Sequence, residues 1–180
     1  MTRVDFYVLP DTADGARLEF ACRIAEKAYT QAHRVYVHAA SAAEAARLDE
    51  LLWTFRDTSF VPHALAGAGV SAADAPPVLI GHEAGHAGSF LAAVEMVEMG
   101  TFLISPGEIR NVPISTIPIS TISVLVNLSE EVPAFHDRFA RIAEVVDADA
   151  DRRRRGRERF RQYRASGCLL DTHRLPATHG

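Results

Sequence analysis

Short strand-like segments alternate with helical segments along the chain, and this alternation restricts the possible fold more than any other feature. Val4, Phe6 and Val8 alternate with their neighbours as in a strand. A helical apolar pattern follows over about residues 15–31, and residues 35–38 form the next strand-like segment. Since parallel strands need such crossovers, the pattern predicts an α/β fold with an open, mainly parallel sheet and helices on both faces.

The alternation continues through the middle of the chain. Ser41 and Glu44 have the spacing of a capping box, which predicts a helix from there to about Phe55. Val78–Ile80 is expected to form a short buried strand. Ile122–Leu128 is the longest β-branched run, so we expect a central strand that is buried on both faces.

Two helices are predicted in the last third of the chain. Pro133 is suited to a first helical turn, and the apolar stripe of the helix that it opens would contain Phe135, Phe139, Ile142, Ala143 and Val146. The final helix is predicted from about Ala150 to Ser166, with Gly167 as its C-terminal cap.

Length and composition favour a single domain over residues 1–180. A chain of 180 residues that is 48% hydrophobic is long enough for one good core. No apolar run approaches twenty residues and no signal peptide is recognisable, so we expect a soluble, cytoplasmic protein with no membrane contact. Cys22 and Cys168 are expected to be reduced thiols. No Gly-rich nucleotide fingerprint follows any strand, so no cofactor is predicted.

The charge is distributed unevenly. Residues 151–164 contain eight arginines and two acidic residues, a local charge of +6, while the net charge of the whole chain is −4. This asymmetry indicates an anionic partner that is bound through one segment, rather than a surface for general nucleic-acid binding.

One face of the final helix combines positive charge with an aromatic ring. Helical spacings of three, four and seven place the following residues close together: Arg153, Arg157, Phe160, Arg161 and Arg164. Such a face suits an acidic peptide that ends in a hydrophobic residue, because guanidinium groups can form forked bonds to carboxylates. The alternative is a solvated charged face, which is the usual explanation of a charge run.

A second candidate surface lies in residues 47–67. Leu48, Leu52 and their helical neighbours form a stripe directed at the core, whereas Trp53 lies off that stripe. Phe60 follows a polar turn and precedes an extended segment at Pro62. Two large rings beside a rigid helix suggest a docking surface, although each ring alone is more often part of a core.

Several sequence motifs resemble one protein family. They are LDELLW at 48–53, SFVPH at 59–63 and RERFRQYR at 157–164, with further matches at 3–9 and 126–128. These segments are similar to the chi subunit of the bacterial DNA polymerase III clamp-loader complex. The resemblance covers about residues 1–80 and 122–175, whereas 82–121 has no recognised counterpart and is expected to be an insert.

The resemblance implies a Rossmann-like fold and a non-catalytic adaptor of the replication machinery, whose contact with nucleic acid is mainly indirect. Chi-like proteins bind the acidic, Phe-terminated tail of single-stranded-DNA-binding protein, and the matching positions here are Arg153, Arg157, Phe160, Arg161 and Arg164. They also bind the psi subunit, and the matching positions are Trp53 and Phe60. Phe160 stands where a Tyr is common, and Arg153 and Arg161 stand where Lys occurs.

The segment 82–121 contains the main alternative. His82, Glu83 and His86 satisfy H-E-x-x-H, in which two histidines hold zinc while the glutamate acts as general base, so a zinc-dependent hydrolase is the second hypothesis. A direct single-stranded nucleic-acid binder is the third. Otherwise we expect an extra surface helix from about Ala84 to Met99, which could pack on a neighbour through Phe90, Leu91, Val94 and Val97. Two copies of PISTI follow at 113–122.

Overall fold

The structure, a computed structural model, describes residues 1–10, 15–67, 75–102 and 123–176, with side chains described up to residue 95 in the third range. The helices and strands in chain order are β1 (Arg3–Val8), α1 (Ala16–Thr30), β2 (Arg34–His38), α2 (Ala42–Thr54), β3 (His63–Leu65), β4 (Val78–Gly81), α3 (Ala84–Phe102), β5 (Ser123–Asn127), a 3-10 helix (His136–Arg138), β6 (Arg141–Val146), α4 (Ala150–Ala165) and β7 (Leu169–Arg174).

Seven strands form one sheet in the order β3-β4-β2-β5-β6-β1-β7, and every described pair is parallel. This confirms the predicted open parallel sheet. β5 is the fourth of the seven strands and is buried along its whole length, as its β-branched sequence predicted.

Alternate residues of the strands build a separate core on each face of the sheet. On one face, Val35 and Val37 of β2 pack with α1 and α2. On the other face, Tyr36 packs with Phe90 of α3 and Tyr163 of α4. Helices therefore cover both faces, as the alternation of strands and helices requires.

The predicted capping box at the start of α2 is confirmed. The Ser41 hydroxyl accepts a hydrogen bond from the Glu44 backbone N–H at 3.2 Å. The Glu44 carboxylate in turn accepts one from the Ala40 N–H at 3.1 Å. The first bond satisfies a backbone donor that the first turn of a helix leaves unpaired, and the second holds the residue before the N-cap, so together they fix where α2 begins.

The predicted helix after Pro133 is wrong. Only a short 3-10 helix forms there, and the residues that follow it form β6, between β5 and β1. Ile142, Ala143 and Val146 match a helical stripe, but a strand that is buried on both faces is also continuously apolar. Periodicity alone does not separate the two.

The helix expected after residue 84 is present and its apolar residues pack on the fold, but it is a crossover between strands and not an extra surface element. α3 runs to Phe102, and Phe90, Leu91 and Val94 are buried against the sheet. The reason is topological, since the connection from β4 to β5 needs a crossover that covers one face of the sheet. The tandem PISTI copies at 113–122 lie outside the described residues. β5 begins directly after them, at Ser123.

Candidate functional site

The helix α4 is held against the sheet by a buried polar network. The Glu144 carboxylate of β6 is 0% exposed and accepts hydrogen bonds from Arg159 at 2.9 Å, Asn127 at 2.7 Å and Tyr163 at 2.8 Å. Burial raises the pKa of the Glu144 carboxyl, and the Arg159 guanidinium and the hydrogen bonds oppose that rise. Since both Arg159 and Tyr163 point inward, the network fixes which face of α4 is turned outward.

Four arginines of α4 are paired with acidic residues. Arg159 binds Glu144, as described. Arg152 lies 2.7 Å from Asp147, while Arg154 lies 3.2 Å from Asp151. Arg155 forms an ion pair with Glu130. These guanidinium groups are therefore already engaged within the chain.

The other four arginines of α4 form no ion pair with any described residue. They are the four arginines that the sequence assigned to the binding face, namely Arg153, Arg157, Arg161 and Arg164, and all are exposed. Arg153 donates from its Nε to the Asp147 carbonyl at 3.2 Å, which orients its side chain without neutralising it. A set of unneutralised guanidinium groups on one helix can attract an anionic ligand.

A groove with a volume of about 450 Å³ lies between α4 and the carboxyl ends of β1, β6 and β7. We call it the α4 groove. Its apolar parts come from both sheet and helix, and guanidinium groups lie among them. The lining residues are Phe6, Val8, Leu9, Pro10, Val146, Arg153, Gly156, Arg157, Phe160, Thr172, Arg174 and Leu175.

Phe160 forms an apolar wall of the α4 groove. Its side chain is half-buried, and its ring centroid lies 5.3 Å from that of Phe6. Gly156 lets α4 pack closely on β6 beside it, because a Cβ at this position would lie 3.0 Å from Val146 Cγ2. The groove thus offers ring surface for an apolar side chain beside positive charge for a carboxylate.

The structure brings together three of the five residues predicted for tail binding. Arg153, Arg157 and Phe160 line the α4 groove, whereas Arg161 and Arg164 are exposed further along the helix and do not line it. Sequence reasoning did not find Arg174, because β7 was not predicted. The exposed, mainly polar sequence of β7 lacks the alternation of apolar and polar residues that would have indicated a strand.

The two rings predicted as a second surface lie together on the outside of the molecule. Trp53 is 56% exposed and Phe60 is 68% exposed, with ring centroids 5.7 Å apart. The ring of His63 contacts Trp53 at a centroid distance of 4.8 Å, and its nitrogens lie 2.6 Å from the Val61 carbonyl and 3.0 Å from the Asp49 carbonyl. We call Trp53 and Phe60 the aromatic pair. His63 supports it by joining α2 to the segment before β3.

The H-E-x-x-H residues lie at the start of α3, with His82 and Glu83 before its first residue. The His82 and His86 ring centroids are 5.1 Å apart, and the His82 backbone N–H donates to His86 Nδ1 at 3.4 Å. Among the residues with described side chains, no three His, Cys, Asp or Glu are grouped so as to hold a metal ion. Glu95, which lies further along α3, is paired with Arg138.

Cys22 and Cys168 are both free thiols, as expected. Within the described part of the chain, none of the helices has the length and apolar character needed to cross a membrane.

Comparison with known proteins identifies the family. The family model described as "DNA polymerase III chi subunit, HolC" matches residues 1–171, a range that includes 82–121. A DNA polymerase III subunit chi of Pseudomonas aeruginosa is 38% identical over 98% of this chain and 99% of its own length. The subunit chi of Escherichia coli is 27% identical over 96% of this chain and 97% of its own length.

A solved structure of T4 UvsW has a similar fold. It aligns with a TM-score of 0.57 at 9% identity and covers 97% of this chain and 41% of that chain, which supports the fold and nothing more. The family match and the curated relatives cover nearly the whole sequence, and they agree with one another. The chain belongs to the DNA polymerase III chi subunit family and is therefore an accessory protein of DNA replication.

Proposed function

We propose that this chi-family chain is a non-catalytic adaptor with two separate binding surfaces. The α4 groove binds the acidic, Phe-terminated tail of single-stranded-DNA-binding protein, and the aromatic pair binds the psi subunit of the clamp loader. Its contact with nucleic acid is then indirect, and it acts in the cytoplasm with the replicating chromosome.

The difference between paired and unpaired arginines on α4 supports peptide binding in the α4 groove. The arginines outside the predicted face are held by acidic residues of the same chain, whereas Arg153 and Arg157 stand at the α4 groove without an acidic partner among the described residues. A free carboxylate is the natural complement of an unpaired guanidinium group. The ring surface of Phe6 and Phe160 supplies the apolar contact that a terminal phenylalanine needs.

The exposure of the aromatic pair supports its proposed role in binding the psi subunit. Large rings with more than half of their surface in water contribute little to the stability of the isolated chain, and such residues are typical anchors of protein interfaces. The aromatic pair belongs to α2 and the segment after it, whereas the α4 groove is built from α4, β1, β6 and β7. The two partners can therefore be tested independently.

Direct binding of single-stranded nucleic acid is the alternative that the arginines of α4 could also support. Such sites usually add exposed aromatic rings on which bases stack. Phe160 is half-buried and packs on Phe6, so it offers an edge to a groove rather than an open stacking platform. The geometry favours a peptide.

Titration of a labelled acidic peptide that ends in phenylalanine tests the proposal. Arg157→Ala is expected to weaken binding about tenfold and to reduce its dependence on salt, because one charge-assisted contact is lost. Arg154→Ala is the matched control, since this arginine lies on the same helix but is paired with Asp151 and Glu158.

Loss of affinity in both variants, or in neither, would contradict the assignment of the α4 groove. A single-stranded oligonucleotide titrated in parallel separates the alternatives. If it binds more tightly than the peptide and competes with it, the proposed adaptor role is wrong and the nucleic-acid hypothesis is correct.

A further inference from the structure

Arg174 lies at the end of a row of residues that crosses three strands. In the parallel register, Val146 of β6 is opposite Val8 of β1, and Val8 is opposite Arg174 of β7. All three residues line the α4 groove. The row is therefore the floor of the groove, and Arg174 is its outermost residue, on the edge strand of the sheet.

The helix covers only one end of this row. A Cβ at Gly156 of α4 would contact Val146, so α4 lies directly over β6 at this level. Adjacent strands are about 4.8 Å apart, which puts Arg174 about 10 Å to the side of that contact. This width accommodates one aromatic ring between the helix and the guanidinium group of Arg174.

Arg174 is exposed and forms no ion pair with a described residue. Its strand neighbour in β1, Val8, accepts a hydrogen bond at its carbonyl from the Leu175 backbone N–H at 3.0 Å, which fixes the backbone at the end of β7. The Arg174 side chain thus begins from a fixed point, and no other described residue forms an ion pair with it. Arg157 approaches the same groove from the helix.

We infer that Arg174 binds the terminal α-carboxylate of the tail peptide, opposite Arg157, and so makes the groove specific for a phenylalanine at the very end of a chain. This inference rests on the proposed function of the α4 groove. When the terminal ring lies between α4 and the floor, its own carboxylate is only a few bonds away and remains at the mouth of the groove. Guanidinium groups from two sides can then each bind one carboxylate oxygen.

Arg174 approaches the groove from a different side than the arginines of α4. Arg161 and Arg164 do not line the groove, so they can reach acidic residues further from the end of the peptide. Arg153 already donates from its Nε to the Asp147 carbonyl. Arg174 is the lining cation that comes from the sheet side of the groove.

The test compares two peptides that differ only at their ends. One acidic peptide ends in phenylalanine with a free carboxylate, and the other ends in phenylalanine amide. Arg174→Ala is expected to weaken binding of the free acid about tenfold and binding of the amide less than twofold, since only the acid carries the group that Arg174 binds. Arg174→Lys should give an intermediate loss for the acid, because charge is kept while the fork is lost.

Equal weakening of both peptides by Arg174→Ala, or weakening of neither, would overturn the inference. Arg157→Ala measured with the free acid separates this failure from failure of the proposed function. If Arg157→Ala weakens binding and Arg174→Ala does not, only the role of Arg174 is wrong. If Arg157→Ala also has no effect, the groove is not the peptide site. Arg154→Ala is the control for a general loss of charge, and urea midpoints verify that each variant is folded.

Discussion

The carboxylate of Glu144 and the guanidinium of Arg159 lie 2.9 Å apart beneath α4, and both side chains are almost completely buried. A helix with a dense run of arginines is thereby anchored through one of those arginines. Because Arg159 points inward, the arginines on the opposite face of the same helix point into solvent. The sheet thus determines which charges of α4 are available to a partner.

Removal of one member of this buried pair should be strongly destabilising. Glu144→Ala leaves the Arg159 charge buried without its partner and removes three hydrogen bonds, so we expect the free energy of unfolding to fall by about 3–5 kcal/mol. Urea denaturation of both proteins measures the difference. Glu158→Ala, which removes an exposed ion pair to Arg154, is the control and should change stability by less than about 0.5 kcal/mol. Similar effects of the two substitutions would show that the buried network does not anchor α4.

The stability of the fold should decrease in mild acid through His38. Burial is the main cause that lowers the pKa of His38 to about 4, and the nearby His82 and His86 contribute to the same shift. The unfolded chain, with a pKa near 6.5, therefore takes up this proton first, so the contribution is complete above about pH 6.5 and is lost as the pH falls toward 4.

The measurement is the urea midpoint at pH 7.0, 5.5 and 4.5 for wild type and His38→Gln. Carboxylates also titrate in this range, so the useful quantity is the difference between the two proteins. Wild type should lose on the order of 1–2 kcal/mol more than the variant between the extremes. Parallel pH profiles would show that His38 does not titrate in the folded state as its burial implies.

Gly156 should be replaceable only when Val146 is made smaller. Alanine is the better helix former by roughly 1 kcal/mol, but its Cβ would lie 3.0 Å from Val146 Cγ2. We therefore expect Gly156→Ala to be neutral or destabilising in the wild-type chain and more favourable by about 1 kcal/mol in a Val146→Ala background. Thermal or urea denaturation of wild type, the two single variants and the double variant measures the coupling between the two positions. Additive effects would mean that the two side chains do not meet.

Phe60→Ala should separate the two proposed binding surfaces. Since Phe60 is 68% exposed, its loss should change the free energy of unfolding by less than about 0.5 kcal/mol. Binding to the psi subunit, measured by calorimetry, should weaken by tenfold or more, as is usual for an aromatic anchor, while binding of the tail peptide stays the same. A folded variant that loses both interactions equally would indicate one shared surface.

The sequence was most informative where side-chain chemistry is local. The Ser41 and Glu44 capping box and the helical spacings of α1 and α4 are defined within a few residues, and the structure confirms them. The four arginines that the sequence assigned to the binding face are also the four that stay unpaired among the described residues.

The predictions that were wrong or missing concern residues whose secondary structure or burial depends on tertiary contacts. The apolar residues of β6 have a helical period. In the sheet, however, β6 lies between β5 and β1, and its residues alternate between the cores on the two faces. Arg159 is indistinguishable in sequence from its neighbours in the arginine run, and only Glu144 on a distant strand makes it internal. β7 has an exposed polar pattern that lacks the apolar alternation of a typical strand, so Arg174 was not placed.

The floor of the α4 groove joins residues from opposite parts of the sequence, because β1 pairs with both β6 and β7. During synthesis, β1 leaves the ribosome long before its two neighbours in the sheet. A nascent chain that has not yet released β7 consequently lacks one side of the groove floor, so the proposed peptide site is complete only after β7 has joined the sheet.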